Sequence, residues 1–315
     1  MVGPLTVGRW FIVSAAAALT TQAPGTVGLK PTLEPGGVAR YTITSERTSA
    51  TTSSITTTKD TTGRTLEELG VRLSFLEPDD EGRGVVEVVI ESIRFQHEST
   101  GPLTTQQQWL RFDSAAPLEK DATNPAAAAF RPLVGITLRL VIEPDGTIAG
   151  MGCEDDLGAI EGESAPRAAA LISPPVIRRM LGPIFAPCRA VPEEGVEKGS
   201  AWEHTGQIEE SQTPGFDLRT RYTVESLEND VATIEVEGGL ALSGFAAEIY
   251  DVRKSVQSGR LEWDARAGLL RSLTVERASV LDQELGGPVA TITGGVSLRI
   301  MRTEAVGRAA TTGDR

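Results

Sequence analysis

The sequence predicts an α+β fold that is mainly β: two related antiparallel, curved β-sheet units, an internal duplication, joined by a helical segment. Three observations lead there. Apolar and polar residues alternate at period two over most of the chain, in runs bounded by Gly, Pro, Asn and Asp. The same succession of runs and turns returns after residue 195. One stretch between the halves, from about Asp155 to Phe185, repeats at helical spacing instead.

Composition sets the outer limits. The 315 residues permit one large or two ordinary domains. Asp and Glu number 43 against 30 Lys and Arg, a formal net charge of −13, so no basic face stands ready to displace counterions and no nucleic-acid partner is expected. A hydrophobic content of 40% with 23% charged residues argues against general disorder, a collagen repeat or a polytopic membrane protein. Only two His and two Cys are present, which leaves little for acid–base, nucleophilic or transition-metal chemistry. No cofactor and no metal are expected.

Residues 1–23 read as a secretory signal peptide. Met1 to Arg9 carry one positive charge and no acid, Trp10 to Leu19 form a short apolar run, and Thr21-Gln22-Ala23 places small residues one and three positions before a cut. Pro24 disfavours that cut, so cleavage nearer Ala17 or Ala18 stays open, as does a buried N-terminal strand or helix. The Gly/Pro-rich stretch 24–37 reads as a linker. There is no Cys near the cut to carry a lipid, and no other run is long and apolar enough to span a bilayer. A periplasmic or secreted protein is expected, without a transmembrane anchor once the signal is removed. In such a compartment Cys153 and Cys188 are expected to pair, closing a loop of about 35 residues that stabilises by about 3 to 4 kcal/mol in the chain-entropy model. Two separate buried thiols are the alternative.

The first β-rich unit covers 38–152. Val71 to Leu76 and Val85 to Phe95 flank the polar turn Glu77 to Gly82 as a hairpin, Gln108 to Phe112 give a further strand, and Ile136 to Ile142 with Thr147-Ile148 flank the turn Glu143-Pro144-Asp145-Gly146. Residues 50–65, rich in Thr and Ser, are either a solvated strand pair or a mobile loop.

A helical bridge covers 153–195. Ala165, Ala168, Ala169, Leu171 and Ile172 form one apolar face and Val176, Ile177, Met180, Leu181, Ile184 and Phe185 another, with Pro174-Pro175 dividing them. Such a pair covers a sheet face, or closes an apolar cavity as a lid.

The second β-rich unit covers 196–304, and 305–315 reads as a flexible tail. Gly199 to Trp202 echoes Gly37 to Tyr41. Tyr222 to Leu227, the turn Glu228-Asn229-Asp230 and Val231 to Val236 repeat the first hairpin, and Ser258 to Leu270 echoes Gly135 to Ile148. Similar turn chemistry in unrelated hairpins is the competing explanation.

Candidate chemistry is sparse. A Ser nucleophile needs a base, and only His97 and His204 are offered, both read as surface strand residues; no Gly-x-Ser-x-Gly elbow occurs, since Gly162 to Pro166 fails at its last position. Asp79-Asp80-Glu81 and Glu154-Asp155-Asp156 lack the spacing of a calcium loop and read as a solvated turn and a helix N-terminus. Gly286-Gly287-Pro288 and Gly294-Gly295-Val296 lack a phosphate-loop Lys and read as turns or bulges. Trp109, Trp202 and Trp263 read as core aromatics of strands, or as the lining of an apolar groove on a curved sheet.

At Val196-Glu197-Lys198-Gly199-Ser200-Ala201-Trp202, with the hairpin Tyr222 to Val236 and the segment Gly259 to Gly268 around Trp263-Asp264, the chain resembles a group of secreted bacterial β-rich proteins of unknown function. It is more distantly similar to lipoprotein-carrier and periplasmic lipid-binding half-barrels, in which a curved antiparallel sheet wraps helices. That second similarity is architectural and transfers no catalytic residue. The reading that follows is an exported, non-enzymatic binding or envelope-structural protein. Its partner would be an envelope protein or an apolar small molecule held between sheet and helices. The alternatives are an extracytoplasmic hydrolase using Asp/Glu or His204, and a purely structural or protein-binding module.

Overall fold

Alternating β-branched, aromatic and polar residues become strands when one face can be buried, as the alternation of burial along Thr61–Leu76 and Thr137–Ile142 shows. In the computed structural model the described residues are 26–53, 60–101, 104–124, 126–153, 165–207, 215–284 and 289–308. The expected signal peptide at 1–23, the acidic run Glu154 to Asp156 and Gly286 to Pro288 lie outside them.

The strands are β1 (Gly37–Ser53), β2 (Thr61–Leu76), β3 (Gly84–Gly101), β4 (Thr104–Asp113), β5 (Thr137–Ile142), β6 (Ile148–Cys153), β7 (Ala201–Gln207), β8 (Phe216–Glu228), β9 (Val231–Leu242), β10 (Tyr250–Asp264), β11 (Leu269–Glu284) and β12 (Val289–Arg308). All join one antiparallel, open and curved sheet in the order β6-β5-β3-β2-β1-β12-β11-β10-β9-β8-β7, with β4 paired to β3 beside this path. The helices are α1 (Ala127–Phe130), α2 (Ala165–Leu171), α3 (Pro174–Phe185) and α4 (Gly244–Ile249).

The strand order states the repeat in space. β6-β5-β3-β2-β1 and β11-β10-β9-β8-β7 are the same meander, and β12 stands between them. The segments that echo each other in sequence fall on matching strands: Gly37 to Tyr41 on β1 and Ala201-Trp202 on β7, the hairpins β2–β3 and β8–β9, and the hairpins β5–β6 and β10–β11. Helical turns interrupt both copies at the same place, α1 between β3 and β5 and α4 between β9 and β10. The halves are continuous through the β1–β12 pairing, from Gly37 opposite Arg308 to Ser53 opposite Ala290. They also share one core.

A single cross-strand row shows how the core is made. Ile93, Leu69, Ile43, Ile300, Leu273, Leu261, Ile234 and Val224 are successive register partners across eight strands, and all are buried. Against this floor lies α3, which starts on Pro174-Pro175, residues suited to a first turn that has no N–H bonds to lose. It buries Ile177, Met180, Leu181, Ile184 and Phe185, while α2 buries Ala168 and Leu171. Of the first expected apolar face Ala168, Leu171 and Ile172 are buried and Ala169 is exposed, and the second face is buried at five of its six residues, Val176 being half-buried. α3 packs on both β6 and β11, which are far apart in the strand order, so the sheet must curve around it.

Several local expectations change. The linker is strapped to the second half: Val27 and Val196 exchange backbone hydrogen bonds at 2.8 and 2.9 Å, Thr32 N–H donates to the Gly268 carbonyl at 3.2 Å, and Leu29 is buried. β12 continues to Arg308, past the start of the expected tail, because Gly37 and Val38 supply backbone partners. Residues 61–65 pair as strand with 47–51, from Arg47 opposite Thr65 to Thr51 opposite Thr61. Gly294 and Gly295 are neither turn nor bulge; they sit inside β12, paired on both sides, where a Cβ on Gly295 would meet Thr48 Oγ1 at 2.6 Å. The β8–β9 turn is tight as expected, with positive φ at Asn229 and Asp230.

Candidate functional site

Four residues along the strands from the apolar row, the inner face turns polar. His97, Thr65, Arg47, Val296, Arg277, Gln257, Gly238, Thr220 and His204 are again successive register partners. Register partners project to the same face. Both histidines of the chain thus stand on one inner row, at its two ends, and both are half-buried. This corrects their reading as surface residues: the alternation of β3 and β7 aims them inward, and the curvature of the sheet shelters them. His97 Nδ1 bonds Thr65 Oγ1 at 3.0 Å, and Gln257 Nε2 donates to Thr220 Oγ1 at 3.2 Å.

Between this row and the row of apolar residues stands Glu67, buried on β2. Its carboxylate accepts from Arg47 at 2.8 Å and from Arg179 of α3 at 3.2 Å. The guanidinium of Arg179 therefore links the helix to the first half of the sheet.

There a groove of about 280 Å³ opens between α3 and the β7–β8 edge. Its apolar wall comes from Pro183 and Pro187 on one side and Leu218 and Tyr222 on the other. Its polar wall comes from Arg178, Arg179, Arg189, Arg277, His204, Gln207 and Thr220. No carboxylate lines it among the described residues, although the chain as a whole is acidic. Two further hollows, of about 500 and 430 Å³, carry charges of both signs, with Glu46, Lys254 and Glu276 in one and Asp264, Arg271 and Arg302 in the other.

The groove's walls are braced. Trp202 stacks on Tyr222 with ring centroids 5.3 Å apart, and its Nε1–H donates to the Arg189 carbonyl at 3.0 Å, fixing the segment after α3 against β7. Burial, reinforced by the neighbouring Cys188, pushes the Tyr222 phenol well above its usual range, so it stays protonated at neutral pH. Burial likewise pushes the Cys188 thiol up, which withholds the thiolate a nucleophile requires. A Cβ on Gly206 would meet His204 Nε2 at 2.7 Å, so the small residue leaves room for the imidazole.

Other sequence candidates lie elsewhere. Asp79 is a turn residue: its carboxylate accepts from the N–H groups of Glu81 and Arg83 and from the Arg83 guanidinium. Those bonds, the Arg83 N–H foremost, hold its carboxyl below the usual range. Trp263 is wholly buried, whereas Trp109 is 48% exposed with the Arg111 guanidinium 4.7 Å from its ring centre, so the expectation that Trp109 is a core aromatic is corrected. Cys153 ends β6, and it packs against the core that includes the buried Cys188. In the sequence the apolar stripe of this segment hides the arginines, although Arg178-Arg179 in the middle of that stripe is a legible signal. No helix among the described residues is long and apolar enough to cross a membrane.

Residues 187–270 match the profile of the Family of unknown function (DUF6263). That segment is DUF6263-like. It contains Val196 to Trp202, the hairpin Tyr222 to Val236 and Gly259 to Gly268, the residues that carry the resemblance to β-rich proteins of unknown function, and the expected likeness holds. The DUF6263-like segment also supplies Arg189, His204, Leu218 and Tyr222 to the groove. No curated protein sequence matches the chain. Among solved structures, one described as showing lipid–protein interactions in lipovitellin aligns with 90% of this chain at a TM-score of 0.51 and 10% identity. The likeness is one of fold, and the aligned part is 27% of that chain's length. The transport unit of the autotransporter AIDA-I from Escherichia coli aligns over 84% of this chain and 90% of its own, at 6% identity and a TM-score of 0.14, too low to carry an argument.

Proposed function

We propose that the protein is an exported, non-enzymatic binding protein that holds an apolar or amphipathic small molecule in the groove beside α3. The observation that carries this reading is the groove between α3 and the β7–β8 edge, where the apolar walls, Pro183 and Pro187 on one side and Leu218 and Tyr222 on the other, remain apart. Phe130, Phe185, Met180 and Ile184 are fully buried, so the space directly between sheet and helices is core. A ligand therefore has its place at the flank of α3. The lipovitellin-like architecture supports the same reading, since the lipovitellin structure is described by its lipid contacts. Export rests on the pattern of residues 1–23.

The hydrolase alternative draws less support. The hydroxyls lining the groove with His204 are those of Thr220 and Tyr222, and among the described lining residues no carboxylate is placed to orient the imidazole or to act as one of a catalytic pair.

Titration with the neutral fluorophore N-phenyl-1-naphthylamine tests the binding reading. Saturable, one-site enhancement that is lost in Leu218→Arg is the expected result. Absence of saturable binding to the unaltered protein, or identical binding to the variant, would sink it.

A further inference from the structure

The charge of the groove narrows the class of ligand. We propose that it selects an anionic single-chain amphiphile, whose carboxylate, phosphate or sulfate headgroup is held by the guanidinium groups of Arg178, Arg179, Arg189 and Arg277. This rests on the reading of the groove as a ligand site and goes beyond it in specifying the headgroup.

A chain with a formal net charge of −13 repels anions on average, so a lining with four arginines and, among the described residues, no acid is a local inversion of sign. Arg179 is paired with Glu67, and that carboxylate is shared with Arg47. Asp145, on the β5–β6 turn, feels the charge of Arg189, but it is not part of the lining. Guanidinium groups suit this task because their planar forks match the paired oxygens of carboxylates and phosphates and hold their charge at any physiological pH. The four come from both sides of the groove: three from α3 and the segment after it, one from β11.

Size and lining supply the second half of the argument. A volume of about 280 Å³ is at the small end for ligand sites, enough for a headgroup and the first part of one chain and too small for two. Pro183, Pro187, Leu218 and Tyr222 give that chain an apolar start.

The test compares three probes on the full chain by titration calorimetry, each below its micellar concentration: dodecyl phosphate, the neutral dodecyl maltoside, and inorganic phosphate. Dodecyl phosphate is expected to bind at least about tenfold more tightly than either of the others, and less tightly as salt is raised. The double variant Arg178→Gln/Arg189→Gln removes two exposed guanidinium groups and is expected to weaken dodecyl phosphate about tenfold or more and dodecyl maltoside by a much smaller factor. Unchanged melting of the variant shows that folding is not the cause. Equal binding of the neutral and anionic amphiphiles would overturn this proposal and leave the apolar-ligand reading standing. Binding of inorganic phosphate as tight as dodecyl phosphate would overturn the amphiphile and leave an anion site. Binding of none of the three would overturn both readings.

Discussion

Arg179 on α3 donates to Glu67 on β2 at 3.2 Å, across 112 positions of sequence. Glu67 is buried, and Arg47 on β1 takes its other oxygen. One carboxylate therefore holds two strands and the central helix in register. Breaking a buried ion pair from one side strands the partner's charge. Glu67→Gln keeps the shape and removes the charge, and is expected to lower the unfolding free energy by about 1 to 3 kcal/mol in urea denaturation. A change within a few tenths of a kcal/mol would show that the pair does not help to dock α3.

Phe185 ends α3 fully buried, while Trp109 on β4 is largely in solvent. Phe185→Ala is expected to cost about 3 to 5 kcal/mol through lost burial and the cavity left behind. Trp109→Ala is expected to cost less than about 1 kcal/mol, its main contact being the Arg111 guanidinium. Equal losses in the two variants would contradict the assignment of core and surface.

Gly268 turns β10 into β11 at a φ of +59°, and an added Cβ would run into the backbone N of Thr32. The Thr32 N–H also donates to the Gly268 carbonyl. Gly268→Ala therefore strains the turn and pushes off the strap at once, with an expected cost of about 1 to 3 kcal/mol. Faster proteolysis within residues 26–36 of the variant is the accompanying readout, and an unchanged digestion pattern speaks against the strap.

Burial alone would raise the Asp264 carboxyl, but the Arg302 guanidinium and the N–H groups of Ala267 and Arg266 together hold it below its usual range. A carboxyl depressed in the folded state contributes stability above its unfolded pKa, and that contribution is lost as pH falls through the folded value. Asp264→Asn is expected to be less stable than the parent at pH 7 and to converge with it below about pH 4. A stability difference that persists unchanged into acid would show that charge is not its origin.

Exported from a cell with an intact secretory route, the protein is expected to begin after Ala23 or nearer Ala17 or Ala18, which N-terminal sequencing reads directly. In the same material Cys153 and Cys188 are expected to resist alkylation in denaturant until a reductant is added. An intact Met1, or two labels without reductant, would refute export or pairing respectively.

Much of this fold is legible in order along the chain. Strand periodicity, the prolines that divide α2 from α3, and the Asn229-Asp230 turn depend on neighbours within a few residues, so the local sequence carries them. The repeat was legible too, because each hairpin keeps its own turn chemistry. The buried face of α3 follows from five apolar residues at helical spacing.

Other features depend on pairings that no local pattern encodes. Backbone hydrogen bonds are nearly the same for every residue type, so nothing in β1 or β12 announces that each is the other's partner and that two units are one sheet. Arg178, His204, Leu218 and Arg277 become walls of one groove only because the sheet curves around α3 and brings its β7–β8 edge over the helix. The sequence by itself determined which residues face inward along each strand and helix, since that is a matter of period. Only the tertiary structure decided which inward faces meet, because curvature and long-range pairing are properties of the whole sheet, and the groove exists at the place where they leave two faces apart.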